Sequence, residues 1–126
     1  MELIAVGAGG FIGACARHLI TKALSGARLN LPLGTLASNV VAGFLIGLII
    51  GLERQSGNLG RDMKLFLTTG CLGGLSTFST FSLETVVFWQ SGQYTRAAAN
   101  TVLNLVCSIG AVFLGLALAK LLAAKA

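Results

Sequence analysis

The chain has 126 residues, of which 55% are hydrophobic and only 10% are charged. A soluble domain carries about 25% charged residues. A chain with so few charges must expose apolar surface to lipid, which excludes a cytosolic enzyme, a disordered chain and a nucleic-acid-binding module. The net charge of +5 is therefore expected at headgroup level, not against a polyanion. The composition predicts an integral membrane protein.

Four apolar segments are long enough to cross a bilayer, which takes roughly 20 residues of α-helix. The first runs from Leu3 to about Leu24, with polar residues in its last third. We do not expect a signal peptide there, because the chain opens Met1-Glu2 without a basic leader. The other segments occupy residues 33–52, 65–89 and 97–119. We predict an all-α membrane protein in which residues 1–126 form one four-helix transmembrane subunit.

The connections are predicted at residues 25–31, 53–64 and 90–96. Pro32 stands where a proline commonly starts a helix. The second connection mixes glycine, asparagine and charged residues, so we expect a solvated loop. Trp89 and Tyr94 flank the third connection, as is typical of aromatic residues at headgroup level.

Basic residues divide almost evenly between the two ends of the predicted bundle. The end with both termini has Arg54, Arg61, Lys64, Lys120 and Lys125. The other end has Lys22, Arg28 and Arg96, and Arg17 if it reaches that far. The positive-inside rule then gives only a weak orienting preference. Insertion in both orientations and insertion in a single orientation both stay open.

Small residues recur at four-residue spacing on three of the predicted helices. They form three ridges: Gly9 and Gly13; Gly43, Gly47 and Gly51; and Ala111, Gly115 and Ala119. Such ridges allow close approach of helix backbones in lipid. Packing within the chain explains any one ridge. With three ridges, we expect some of them to serve a contact between subunits.

No catalytic or metal-ligand pattern accompanies the spans, so we do not expect an enzyme. Cys15, Cys71 and Cys107 lie in apolar runs, which indicates buried thiols rather than a disulfide framework. His18 is expected at the membrane interface. Glu84 is the only acidic residue inside a span. It is either a structural carboxyl held by hydrogen bonds or the proton site of a transporter.

Polar residues inside the second and fourth spans need partners or a function, because they are costly in lipid. The second span offers Thr35, Ser38 and Asn39, and the fourth offers Asn100, Asn104 and Ser108 on one face. Two interpretations remain open for the fourth-span stripe. It is either hydrogen-bonding glue between helices or the wall of a polar track.

The third span contains an unfavourable sequence for a continuous helix. Two adjacent glycines precede five hydroxyl residues within seven positions. An interruption there would free backbone groups that can coordinate ions. Phe78 and Phe81 can share a face beside Ser79 and Thr80, and the edge of a phenyl ring is positive. Two interpretations of the pair stay open: a site for a small anion, and ordinary core packing of the two rings.

The third-span string GCLGGLSTFSTFSLE, residues 70–84, closely resembles the signature of the Fluc (CrcB) fluoride channels. The strings GTLASN at 34–39 and GACAR at 13–17 are also similar to that family. The resemblance covers essentially the whole chain. It implies an antiparallel, dual-topology homodimer in the inner (plasma) membrane, with two pores along the subunit interface. Such a channel exports fluoride passively and prevents its toxic accumulation.

The resemblance also implies roles for individual residues. Phe78 and Phe81 would present ring edges, and Asn39 an amide donor. The remaining positions of the predicted pore lining carry hydroxyl groups: Ser108, Thr80, Ser79 and Thr35. Arg17 would give the aqueous vestibule a positive potential.

A structural Na⁺ at the dimer centre is implied as well, bound by the backbone carbonyls of Gly73 and Ser76 from both subunits. The family usually has Thr where this chain has Ser76, which leaves backbone coordination unaffected and puts a side-chain role in doubt. Asn100 falls at a position where the family can have a different polar residue, so the resemblance gives it no defined role.

Two other classes compete with the channel. A small proton-coupled exporter of the multidrug-resistance type also has four helices, but it needs a central carboxylate lined by aromatic residues. Glu84 is the sole candidate here, while Trp89 and Tyr94 lie at the membrane edge. A scaffold subunit without a pore would account for the glycine ridges but not for the Phe and hydroxyl run.

Overall fold

The computed structural model describes residues 1–27 and 30–125. Every regular element in these residues is helical: α1 (Glu2–Leu24), α2 (Leu33–Ser56), α3 (Arg61–Leu65), a π-helical segment (Phe66–Leu72), α4 (Gly73–Leu75), α5 (Phe78–Gln90) and α6 (Tyr94–Ala124). Four stretches are long and apolar enough to cross a membrane: Glu2–Leu24, Leu33–Ser56, Arg61–Gln90 and Tyr94–Ala124. We call them spans 1 to 4. The protein is an all-helical, multi-pass membrane protein, as its composition predicts.

The connection between spans 2 and 3 is shorter than predicted. Helix α2 continues to Ser56 and α3 begins at Arg61, so the solvated loop predicted over 53–64 shrinks to residues 57–60. Charged residues extend a helix as readily as apolar ones. The helices therefore continue about one turn beyond the apolar run. Gly57 ends α2 with a φ of 61°, a left-handed conformation that favours glycine.

The other connections lie close to their predicted positions. Residues 91–93 join spans 3 and 4, and the rings of Trp89 and Tyr94 meet edge to face across them at 4.8 Å. Pro32 is the cap residue before Leu33 rather than the first residue of α2. Arg28, which we predict at the same end of the bundle as Lys22 and Arg96, lies outside the described residues.

All three small-residue ridges pack against another span of the same chain. A Cβ placed on Gly43 would lie 2.7 Å from the carbonyl oxygen of Ser108, and Gly47 backs onto the main chain of Val112. Gly9 and Gly13 in turn meet the main chain of span 3. The expectation that some ridges serve a subunit contact is therefore wrong, because intrachain packing occupies each of them.

Span 3 changes its backbone conformation near the middle. The π-helical segment leads into the short helix α4, which ends at Leu75. Ser76 (φ −75°, ψ 153°) and Thr77 (φ −151°, ψ 117°) are then extended, and α5 begins at Phe78. We call Ser76 and Thr77 the extended pair. Their main-chain groups cannot all follow the helical pattern and need other partners.

Few apolar side chains are buried among residues 1–27 and 30–125. Ala42, Leu72 and Leu75 form the fully buried cluster where spans 2 and 3 meet. Many larger apolar side chains point outward, and Phe113 is 69% exposed. The three free cysteines also differ in exposure: Cys15 is exposed, while Cys71 and Cys107 are half-buried. The three thiols are free; the prediction that they are buried is wrong for Cys15 and only partly met by Cys71 and Cys107.

Candidate functional site

Asn39 in span 2 bonds both main-chain groups of Thr77. The Thr77 N–H donates to Asn39 Oδ1 at 2.7 Å, and Asn39 Nδ2 donates to the Thr77 carbonyl oxygen at 3.2 Å. In a continuous α-helix the Thr77 N–H would instead donate to the carbonyl of Gly73. One side-chain amide thus replaces helical hydrogen bonds at the extended pair.

The Thr77 side chain caps the helix that follows. Its Oγ1 accepts a hydrogen bond from the Thr80 N–H at 3.2 Å and donates to Thr80 Oγ1 at 3.0 Å. Ser79 Oγ lies 3.5 Å from the same oxygen. A threonine at this position satisfies one of the free N–H groups in the first turn of a helix. Thr80 and Ser79 are therefore held in the first turn of α5.

Three asparagines join spans 2, 3 and 4 in one hydrogen-bonded ladder. Asn39 Nδ2 donates to Asn104 Oδ1 at 2.9 Å, and Asn104 Nδ2 donates to both oxygens of Asn100 at 3.0 Å. Asn100 Nδ2 reaches Thr85 Oγ1 at 3.0 Å. Asn100 and Asn104 are buried. The hydrogen bonds of these two residues are those that the glue interpretation of the fourth-span stripe predicts.

Phe78 and Phe81 are in direct contact on α5. Their ring centroids are 5.5 Å apart and the ring planes meet at 62°, an edge-to-face arrangement. Phe81 is 7% exposed, whereas Phe78 is 75% exposed. The Phe81 ring is thus buried within the chain, and the adjacent Phe78 ring is exposed.

A groove of about 380 Å³ opens next to the extended pair. Its wall includes six of the predicted site residues: Asn39, Gly73, Ser76, Phe78, Phe81 and Ser108. Ser108 Oγ is buried and has no hydrogen-bond partner among the described residues. The other predicted residues (Thr80, Ser79, Thr35 and Arg17) are not part of the groove wall. The groove therefore combines two phenyl rings with the buried Ser108 hydroxyl, which has no hydrogen-bond partner among the described residues.

Arg17 approaches the extended pair from span 1. Its Nη1 donates to the Ser76 carbonyl oxygen at 3.4 Å. On the same span-3 segment, a Cβ placed on Gly73 would have one neighbour within 4 Å among the described residues, the Thr68 carbonyl oxygen at 3.8 Å. The two residues predicted to bind a cation thus have different surroundings. The Ser76 carbonyl oxygen faces the Arg17 guanidinium, whereas Gly73 has open space beside its Cα.

Thr35 and Glu84 form a separate pair. Thr35 Oγ1 donates to Glu84 Oε1 at 2.6 Å, and Thr35 is buried. The second carboxyl oxygen, Oε2, is buried and has no hydrogen-bond partner among the described residues. This geometry favours the structural interpretation of Glu84, a carboxyl held by a hydrogen bond between spans 2 and 3.

A family model described as "CrcB-like protein, Camphor Resistance (CrcB)" matches residues 4–116. The chain belongs to the CrcB family. A relative from Clostridium perfringens strain 13, named fluoride-specific ion channel FluC, is 46% identical and covers 93% of this chain and 92% of its own. Relatives of the same name from Ruminiclostridium cellulolyticum (42% identical, 98% and 95% covered) and Agrobacterium fabrum (43%, 95% and 97%) are similarly close.

Sequence analysis of this CrcB chain missed two features of the site. Thr77 received no role, although a hydroxyl residue directly before a helix is a known start pattern. The bond between Asn39 and Asn104 was also missed. It joins residues 65 positions apart in the chain, and only the helix packing brings them together.

Proposed function

We propose that this chain is the subunit of a fluoride-selective channel in the inner membrane. It lets fluoride leave the cell down its electrochemical gradient and so protects the cell from fluoride toxicity. The observation that carries the proposal is the name of the relatives, fluoride-specific ion channel FluC, at 42% to 46% identity over more than nine-tenths of each chain. That name describes a channel and not an enzyme. No described residue favours the proton-coupled exporter, since Glu84 is bonded to Thr35.

The groove beside the extended pair supports a fluoride pathway. Fluoride is small and strongly hydrated, so a pore must replace its water with several donors and still release the ion. Phe78 and Phe81 offer positive ring edges, and Ser108 offers a hydroxyl that has no partner among the described residues. Asn39 adds an amide in the same wall. Each of these donors binds fluoride only moderately, so the ion can leave again. A fixed cation in the pore would hold it too tightly for conduction.

The proposed lining extends beyond the groove. Thr80 and Ser79 continue it along the exposed first turn of α5, where the Thr77 cap holds them in place. Thr35 adds a hydroxyl beside Glu84. Arg17 contributes positive potential to the vestibule on the span 1 side.

The proposed assembly is an antiparallel, dual-topology homodimer. In one subunit the groove is open on one side, and Phe78 in its wall is 75% exposed. Leu105 and Ile109 of span 4, which line the same groove, are also exposed. A second copy would cover these apolar side chains and close the pathway. The nearly balanced basic residues at the two ends are compatible with antiparallel pairing.

A central Na⁺ fits the main-chain groups at the extended pair. The Thr77 N–H donates to Asn39, which leaves the Gly73 carbonyl without the helical donor that residue 77 normally supplies. Hard cations bind carbonyl oxygens of this kind. Gly73 and Ser76 of each subunit would hold the ion, and Na⁺ would supply positive charge between the two subunits. Arg17, 3.4 Å from the Ser76 oxygen, would have to share that carbonyl or release it.

The decisive experiment measures ion efflux from liposomes that contain the purified protein. With valinomycin and internal K⁺, we expect rapid loss of fluoride and no loss of chloride. Protein-free liposomes give the background rate. Absence of fluoride efflux from monodisperse, folded protein would overturn the proposal, and equal efflux of chloride would overturn the selectivity.

A further inference from the structure

Both hydrogens of the Asn39 amide are already used within the chain. One is donated to the Thr77 carbonyl oxygen at 3.2 Å and the other to Asn104 Oδ1 at 2.9 Å. Its Oδ1 accepts from the Thr77 N–H at 2.7 Å, which fixes the orientation of the amide. An anion in the groove can therefore gain an Asn39 N–H only by displacing one of these two acceptors.

Asn104 is the acceptor that can be displaced without loss of the extended pair. Loss of the Thr77 bond would release the main chain that Asn39 holds, whereas loss of the Asn104 bond leaves both Thr77 bonds in place. Asn104 also lines the groove, so an anion in the groove lies beside this residue. Asn100 holds the Asn104 Nδ2 with two bonds of 3.0 Å, which keeps the Asn104 amide in one orientation.

We propose that Asn104 Oδ1 competes with fluoride for the Asn39 N–H, so that fluoride binds by exchange and not at an empty donor. This inference rests on the proposed fluoride channel and gives Asn104 a role that acts through Asn39. Each passing ion breaks one internal hydrogen bond and forms one of its own. The net gain is smaller than for an unoccupied donor, and Asn104 takes the N–H back when the ion leaves.

The test compares single-channel conductance with fluoride concentration in planar bilayers for the parent, Asn104→Leu and Asn104→Ser. Leu has no acceptor, and the short Ser side chain does not reach Asn39. Without the competitor, the half-saturating fluoride concentration should fall by about threefold to tenfold, the equivalent of one net hydrogen bond. Conductance at saturation should fall too, because the ion leaves more slowly.

Thr101→Val is the matched control. It removes a hydroxyl of the same span that takes no part in the ladder, because Thr101 Oγ1 donates to the Ala97 carbonyl oxygen. Its half-saturating concentration should stay within about twofold of the parent. All variants are compared at equal dimer content by size-exclusion chromatography.

The outcomes separate this inference from the proposed function. A parent protein that does not conduct fluoride overturns both. A conducting parent, together with either Asn104 variant at an unchanged or higher half-saturating concentration, overturns the competition alone. A purely structural role for Asn104 predicts that second result, because it lowers conductance without strengthening fluoride binding.

Discussion

Asn39 shows why an amide occupies this position and a hydroxyl would not serve. Its side chain both donates to and accepts from the Thr77 main chain, and it donates a further bond to Asn104. A hydroxyl has a single hydrogen and cannot make both donations. Sequence analysis identified Asn39 as a polar residue in lipid, but it could not show this pairing, because the partners come from two other spans.

The Phe pair gives a test at the residue scale. Phe81→Ile and Phe78→Ile remove the positive ring edge and keep much of the apolar bulk, so fluoride flux per dimer should fall by about tenfold or more. Flux is measured by efflux from liposomes and normalised to dimer content. Phe113→Ile, at an exposed ring of span 4, is the control and should conduct like the parent.

Ordinary core packing of the two rings predicts a different result. Imperfect apolar replacement then costs about 1–2 kcal/mol of stability and leaves flux per folded dimer unchanged. Parent-like flux in both Ile variants would therefore show that the rings only pack.

The proposed cation site gives a second test at this scale. Ser76→Ala should keep most activity, because only the backbone oxygen is used. Gly73→Val should lower flux and should also remove any stabilisation of the dimer by Na⁺ relative to N-methyl-D-glucamine. Within the described part of its own chain, a Cβ at Gly73 meets nothing closer than 3.8 Å, so we expect such a loss to arise at the contact between subunits. A dead but well-expressed Ser76→Ala protein would instead assign the role to the hydroxyl.

At the scale of elements, apolar runs predicted the four spans but not where their helices end. The run at 33–52 marks the lipid-length part of span 2, while the helix itself continues to Ser56. Hydropathy reports the membrane thickness, whereas the end of a helix depends on local stops such as Gly57. The partner of each glycine ridge was not predictable either, because ridge spacing does not show which helix it faces.

The pairing of spans 2 and 4 is testable through Gly47. A Cβ on Gly47 would overlap the carbonyl oxygen of Val112. Because this contact is too close, Gly47→Val should lower the stability of the folded subunit by about 3 kcal/mol. Gly110→Ala is the control, since a Cβ there meets no atom of the described residues within 4 Å. It should be neutral or stabilising by up to about 1 kcal/mol through helix propensity. Thermal unfolding in detergent measures both, and equal stability of Gly47→Val and parent would contradict the packing.

At the scale of the whole molecule, composition alone predicted the class of protein. A charged fraction of 10% implies apolar surroundings for exposed side chains such as Phe113. The number of subunits is a different matter. It depends on how an open groove and the exposed Phe78 are covered, and hydropathy does not distinguish lipid from a second copy.

The proposed dual topology is tested by labelling from each side. A single cysteine at Asn58, in the exposed connection 57–60, is introduced after Cys15, Cys71 and Cys107 are replaced by serine. With nearly balanced basic residues, about half of the molecules should react with an impermeant maleimide from either face of the membrane. Labelling confined to one face would contradict antiparallel assembly. A fusion with one added transmembrane helix of fixed orientation serves as the control.

The glycine contacts between spans also have an entropic consequence. Where Gly47 meets Val112 and Gly13 meets Cys71, main chain packs on main chain. Glycine has no side-chain rotamers to lose, so forming these two helix contacts costs almost no side-chain entropy at the glycines. The bundle therefore holds together in lipid, where the hydrophobic effect does not drive helices against each other, by van der Waals contact at little ordering cost. These helix contacts do not depend on large apolar side chains. The short chain can therefore keep polar residues at its centre and still pack its helices closely.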